Sequence, residues 1–117
     1  MTQTAQQIRF YRSRIPGFAC KPGCHDCCGP VTASSEEVQR LPRKTAAEHE
    51  HALAHLDCVY LGPQGCTVYA ERPLICRLFG TSASLPCPHG CAPEQAVDPA
   101  VEAGIHQFNQ SHRQVLL

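Results

Sequence analysis

The chain has 117 residues, ten basic and ten acidic side chains, no tryptophan and nine cysteines. That length makes one domain, and so few aromatic residues leave only a modest apolar core, the kind that commonly needs a staple. A net charge of zero gives no overall field to draw in nucleic acid or an anionic membrane, and no apolar run is long enough to span a bilayer.

Taken in order, Ala5 to Tyr11 reads as a short helix with Ile8 and either Phe10 or Tyr11 inward, stopped by Pro16-Gly17. The first fourteen residues are polar and lack the apolar stretch of a secretory signal, so the expected compartment is the reducing cytoplasm. Arg9, Arg12 and Arg14 read as a solvated face, since only Phe10 and Tyr11 lie among them to stack on bases.

Phe18 to Pro30 follows, with Cys20, Cys24, Cys27 and Cys28 inside nine positions. Lys21-Pro22-Gly23 and Gly29-Pro30 are turn residues, so this is a looped knuckle. Short gaps between thiols let one loop offer several sulfurs to a single soft or borderline cation. Cys27 and Cys28 are adjacent, and neighbours in extended chain point to opposite sides, so their sulfurs are expected to serve different surroundings.

Ser34 to Glu37 and Thr45 to Glu48 each carry the capping-box pattern. The first predicts a short helix with Val38 and Leu41 on its apolar side, limited by Pro42. The second predicts a helix to about Leu56 with Ala52, Leu53 and Leu56 inward. His51 and His55 share a face of it and have a zinc-compatible spacing; flanked by Glu48 and Glu50, they are expected to be solvated, as is His49.

Asp57 to Tyr69 is a β-hairpin about Gly62-Pro63-Gln64-Gly65. If Leu61 pairs with Cys66, then Cys58 and Cys66 fall on opposite faces. Either a bulge reunites them or they serve separate sites. Pro73 to Phe79 is expected to be a short helix with Pro at its first position, presenting Cys76 and burying Leu74, Ile75 or Leu78. Arg72 and Arg77 flank Cys76, either to neutralise clustered thiolates or as plain surface cations. Leu85 to Pro93 is a second turn-rich loop, pairing Cys87 with Cys91 and leaving His89 exposed at its tip. Last comes a packing helix over about 98–116, capped by Asp98 with Pro99 in its first turn. Val101, Ile105, Phe108, His112 and Val115 recur at helical spacing along it, and His106 and His112 are read as structural.

An odd number of cysteines, a cytoplasmic setting and clustered spacing favour metal ligation over disulfides. All nine cysteines are candidate ligands: Cys20, Cys24, Cys27, Cys28, Cys58, Cys66, Cys76, Cys87 and Cys91. Zinc, slightly preferred, takes four ligands in a tetrahedron and needs no redox partner; eight of these thiols would fill two such sites. An iron-sulfur cluster also takes four cysteines and is the alternative cofactor. The C-x3-C-x2-C spacing of Cys20, Cys24 and Cys27 also matches radical enzymes that use S-adenosylmethionine, but Asp26 stands where they place an aromatic and the chain is too short for their barrel. The expected fold is a small, metal-stabilised α+β domain spanning residues 1–117, with its metal core at about 18–91. It would have cysteine-rich loops, one short β-hairpin and three to five short helices.

The knuckle from Cys20 to Pro30, the hairpin from Asp57 to Tyr69 and the segment Glu71-Arg72-Pro73-Leu74-Ile75-Cys76-Arg77 together resemble the YkgJ-type cysteine cluster proteins. These are the CxxCxxCC zinc- or iron-chelating domains. The resemblance runs from about residue 18 to 91 and implies metal ligation at Cys20, Cys24, Cys27, Cys28, Cys58, Cys66 and Cys76. The first gap here holds three residues where the short motif has two, and Cys87 and Cys91 rest on their own spacing. Some relatives with such clusters look like iron-sulfur proteins associated with protein methylation, which makes a redox or methylation-associated role the second reading. A zinc-ribbon-like interaction module is the third. A cysteine nucleophile from Cys24-His25-Asp26 is the weakest, because groups adjacent in sequence seldom converge as catalysis needs.

Overall fold

In a computed structural model, residues 2–19 and 28–117 are described. Helix α1 spans Gln3–Arg14, longer at both ends than the sequence pattern suggests. Thr2 caps its start by accepting from the Ala5 N–H at 3.1 Å. It stops where Ile15 turns extended, as a residue before proline does. Ala5 and Ile8 are its buried residues, while Phe10 is half exposed.

Strand β1, Thr32–Ser34, is absent from the sequence expectation. It pairs antiparallel with β4, Gln114–Leu116, in the register Ala33 opposite Val115. Helix α2, Ser35–Val38, springs directly from β1. Ser34 accepts from the Glu37 N–H as expected of a cap. The Glu37 carboxylate does not close the box on the Ser34 backbone; it turns inward.

Helix α3, Ala46–Ala54, opens with a complete capping box between Thr45 and Glu48. The expected apolar face does not extend along it. Ala52 is buried, but Leu53 is half exposed and Leu56 is 73% exposed. The reason is the helix stop. Leu56 adopts a left-handed φ of 56°, its N–H donates to Leu53 O at 3.0 Å, and the Asp57 N–H donates to Ala52 O at 2.9 Å. That is a Schellman turn with leucine in the seat glycine usually takes, and it swings residue 56 off the packed face.

Strands β2, Leu61–Gly62, and β3, Gly65–Cys66, form the expected hairpin with Leu61 opposite Cys66. A 3-10 turn at Tyr69–Glu71 leads to α4, Leu74–Leu78, with Pro73 at the cap rather than inside the helix. Helix α5, Pro99–Ser111, is capped by Asp98, which accepts from the Ala100 N–H at 2.8 Å. It ends five residues short of the expected boundary at 116. His112 turns extended, its ring stacked on Phe108 at 4.1 Å, and the chain continues into β4. The helical spacing of Val115 is therefore coincidental; pairing with β1 decides its conformation.

Two apolar clusters result. Ile8, Leu74, Leu78, Val97, Ile105 and Phe108 join α1, α4 and α5. Ala33, Leu41, Ala52, Val59, Tyr60 and Leu117 join β1, α3 and the approach to the hairpin. Ile75 packs against both, so α4 is the shared wall. Gly80, just past α4, has a φ of +84°, and a Cβ there would run into the Phe18 ring. This close approach fixes the chain as it enters the first cysteine loop.

Candidate metal centre

Three thiols come from separate pieces of chain. Cys58 follows the α3 stop and sits in a turn closed by the Leu61 N–H donating to Cys58 O at 3.0 Å. Cys66 ends β3, and Cys76 lies in the middle of α4. All three are half-buried. Burial pushes the Cys58 thiol up; the Tyr60 backbone N–H opposes this, while the charges of Cys66 and Asp57 add to it. Burial likewise pushes Cys76 up to about 12, with Cys58, Cys66 and Glu37 adding to the rise and Arg72 opposing it.

These sulfurs therefore sit in one another's field despite the alternating faces of the hairpin. The strands are only two residues long, and the turn at Cys58 takes the thiol out of strand alternation. A thiol pushed that high keeps its proton at neutral pH, and thiolates are what bind metals. A soft cation bound near these thiols would add to the positive charge that, among the described residues, Arg72 brings to Cys76. The chemistry of this donor set fits a thiophilic metal.

The three are not placed as a ligand group by themselves. Among the described residues, no group of three His, Cys, Asp or Glu side chains could hold a metal ion. Cys28 is described and half-buried; Cys20, Cys24 and Cys27, with His25 and Asp26, lie outside the described residues. Cys28, Cys58, Cys66, Cys76, Cys87 and Cys91 all carry thiols rather than disulfides.

Cys87 and Cys91 line a different feature, a cleft of about 180 Å³ that Thr81, Ser82, Pro86 and Pro93 also border. The loop turns at Gly90, whose N–H donates to Cys87 O at 3.0 Å, and the His89 N–H lies 3.4 Å from Cys87 Sγ. The His89 side chain is exposed. His51 and His55 are exposed too, with ring centroids 4.5 Å apart and His55 Nδ1 2.8 Å from His51 O. His106 pairs with Glu102 at 3.2 Å on α5. None of these histidines approaches the thiols of the hairpin and α4 closely enough to make a ligand group.

Glu37 is the site residue that sequence reasoning missed. It is buried, and its Oε2 accepts from the Leu74 N–H at 2.7 Å while its Oε1 accepts from Ser34 Oγ at 2.8 Å. A carboxylate from α2 thus caps the first residue of α4 and fixes the helix that carries Cys76. The capping-box pattern marked Glu37, but a contact across 37 residues left no local signal. Arg77 donates through Nε to Arg72 O at 2.8 Å and through Nη2 to Ala70 O at 2.8 Å, tying the approach to α4 from the other side.

A family model described as "CxxCxxCC: Putative zinc- or iron-chelating domain" matches residues 19–110. No curated protein and no solved structure matches the chain.

Proposed function

The chain belongs to the CxxCxxCC family of zinc- or iron-chelating domains, and from that premise we propose that it is a cytoplasmic protein that holds zinc or iron in a cage of cysteine thiolates. The proposed ligands are Cys20, Cys24, Cys27 and Cys28 of the first loop, Cys58 and Cys66 of the hairpin, and Cys76 of α4. Cys87 and Cys91, on their own cleft, would be partners at a second ion. One domain over the whole chain carries these sites, with the metal core at about residues 18–91 and α5 as packing support.

The observation supporting this reading best is the family match over residues 19–110; beside it stand three half-buried thiols from separate segments, Cys58, Cys66 and Cys76. Clustered cysteines in a reducing setting are read as metal ligands more readily than as disulfides. Zinc is favoured slightly, because separate loops suit closed tetrahedral sites. No helix among the described residues is long and apolar enough to cross a membrane. The balanced charge gives no support to a nucleic-acid partner.

Protein purified without oxygen and submitted to elemental analysis and ultraviolet–visible spectroscopy tests the proposal. Stoichiometric zinc in a colourless sample would support the zinc reading. A brown sample with iron and sulfide-to-iron absorption would instead support the iron-sulfur reading and its redox or methylation-associated role. Neither metal at stoichiometric level would end the proposal. Cys76→Ser should release metal, whereas His51→Ala should retain it.

A further inference from the structure

Three arginines gather beside Cys76 and the turn that leads to it. Arg12 comes from α1, Arg72 from the segment after the 3-10 turn, and Arg77 from α4. Arg12 and Arg77 both donate through Nη2 to one acceptor, the Ala70 carbonyl, at 3.2 and 2.8 Å. Arg77 Nε donates to Arg72 O, and Arg72 Nε donates to Tyr69 O at 3.0 Å. Three guanidinium groups thus surround the short stretch from Tyr69 to Arg72. Among the described residues, the only carboxylate paired with them is Glu71, at 3.4 Å from Arg12 and well exposed.

This local excess of positive charge stands on a chain whose charges balance overall. Like charges held together oppose the fold unless something negative joins them. A purely structural clamp accounts for Arg77, whose contacts are to backbone carbonyls. It does not account for Arg72. The Arg72 guanidinium lies 3.8 Å above the Tyr69 ring, and among the described residues only its Nε has an acceptor, so neither terminal amino group is engaged by them. A guanidinium stacked flat on an aromatic ring, with its outer edge unused, is pre-organised for the two-point grip that phosphate and carboxylate groups accept.

We propose that Arg12, Arg72 and Arg77 form a binding site for a small oxyanion, the phosphate or carboxylate group of a soluble ligand. The site shares no residue with the proposed sulfur ligands, although Arg72 also acts on Cys76, so its failure leaves the metal reading standing.

The full metal-loaded chain is titrated with inorganic phosphate and, separately, with succinate, chloride keeping the ionic strength constant, while the arginine Nε–H resonances are followed by NMR. Saturable shifts at Arg72 and Arg12 are expected with phosphate, and shifts with succinate as well would extend the site to carboxylates. Arg72→Gln should weaken binding by about tenfold or more, equivalent to about 1.4 kcal/mol. Arg12→Gln, on a different element, provides a second variant should Arg72→Gln misfold. Arg40→Gln, which removes a distant arginine paired with Glu36 at 3.7 Å, should leave binding unchanged. The proposal is overturned if neither anion saturates, if Arg72→Gln and Arg12→Gln both bind as tightly as the parent, or if Arg40→Gln loses as much as they do.

Discussion

The two apolar clusters are built from unequal materials. The one joining α1, α4 and α5 contains Ile8, Leu74, Leu78, Ile105 and Phe108, large side chains that are almost wholly buried. The one behind the hairpin includes Ala33 and Ala52 among its six buried residues and has Cys58 packed at its edge. Apolar burial stabilises roughly in proportion to area, so the helical cluster is self-supporting to a degree that the second is not. Cys58 lies at the edge of the thinner cluster, and Cys76 sits on the shared wall, α4. On the proposed function, a bound ion completes the second half much as Ile105 and Phe108 complete the first.

Stripping the metal with a chelator under reducing conditions should therefore separate the two halves, and it is the largest effect expected. Structural zinc contributes on the order of 10 kcal/mol to small domains. Hydrogen exchange should show the Tyr60 and Thr67 amides losing protection while those of Ile105 and Phe108 keep most of theirs. Simultaneous opening of both sets would show the halves to be one cooperative unit and break the comparison.

Ile105→Ala probes the other half. Ile105 is fully buried, and removing such a side chain typically costs about 2–5 kcal/mol, depending on how far the cavity collapses. Denaturant unfolding should register that loss, while elemental analysis finds the same metal content as in the parent. Lost metal would mean that the helical cluster shapes the sulfur site more directly than its position implies.

Glu37→Gln acts where the halves meet. Glutamine offers one oxygen in place of the two that receive the Ser34 Oγ–H and the Leu74 N–H, leaving one buried donor unmatched at a cost of about 1–3 kcal/mol. The charge of Glu37 also pushes the Cys76 thiol up. The same substitution should therefore speed alkylation of Cys76 in metal-free protein as its thiolate becomes easier to form. A loss of stability with no change in alkylation would confine Glu37 to capping α4.

What the sequence revealed, and what it hid, divides by range. The Thr45–Glu48 box, the Asp98 cap and the hairpin register depend on residues within a few positions of one another, and all were legible. The Leu61–Cys66 pairing was one register the hairpin pattern allowed, and the structure has it. The β1–β4 pair was not legible: Thr32 meets Leu116 across most of the chain, and the last residues carried a misleading helical spacing. The cysteines could be named as candidates from composition and spacing. That Cys58 lies in the field of Cys66 could not, because strand alternation argues against it and the turn at Cys58 overrides it. Glu37 was visible as a cap residue and invisible as the anchor of α4, since its partner Leu74 lies on a separate element.

The smallest effect concerns Leu56, between α3 and Cys58. A left-handed backbone costs a side-chain-bearing residue roughly 1–2 kcal/mol, and the side chain, 73% exposed, recovers little of this by burial. Glycine removes that strain but gains freedom in the unfolded chain, which offsets roughly 0.5–1 kcal/mol. Leu56→Gly should therefore stabilise the metal-loaded protein by roughly 0.5 kcal/mol, the remainder of the two terms. The gain should appear in hydrogen exchange at the Schellman amides, Leu56 and Asp57, and leave the α5 amides unchanged, since it arises in the sulfur-bearing half. A loss instead would mean that leucine at this position is held by its surroundings. The carbonyl of Leu56 already faces Gly29, beside Cys28, and that contact would then be what sets the left-handed turn and aims the chain toward Cys58.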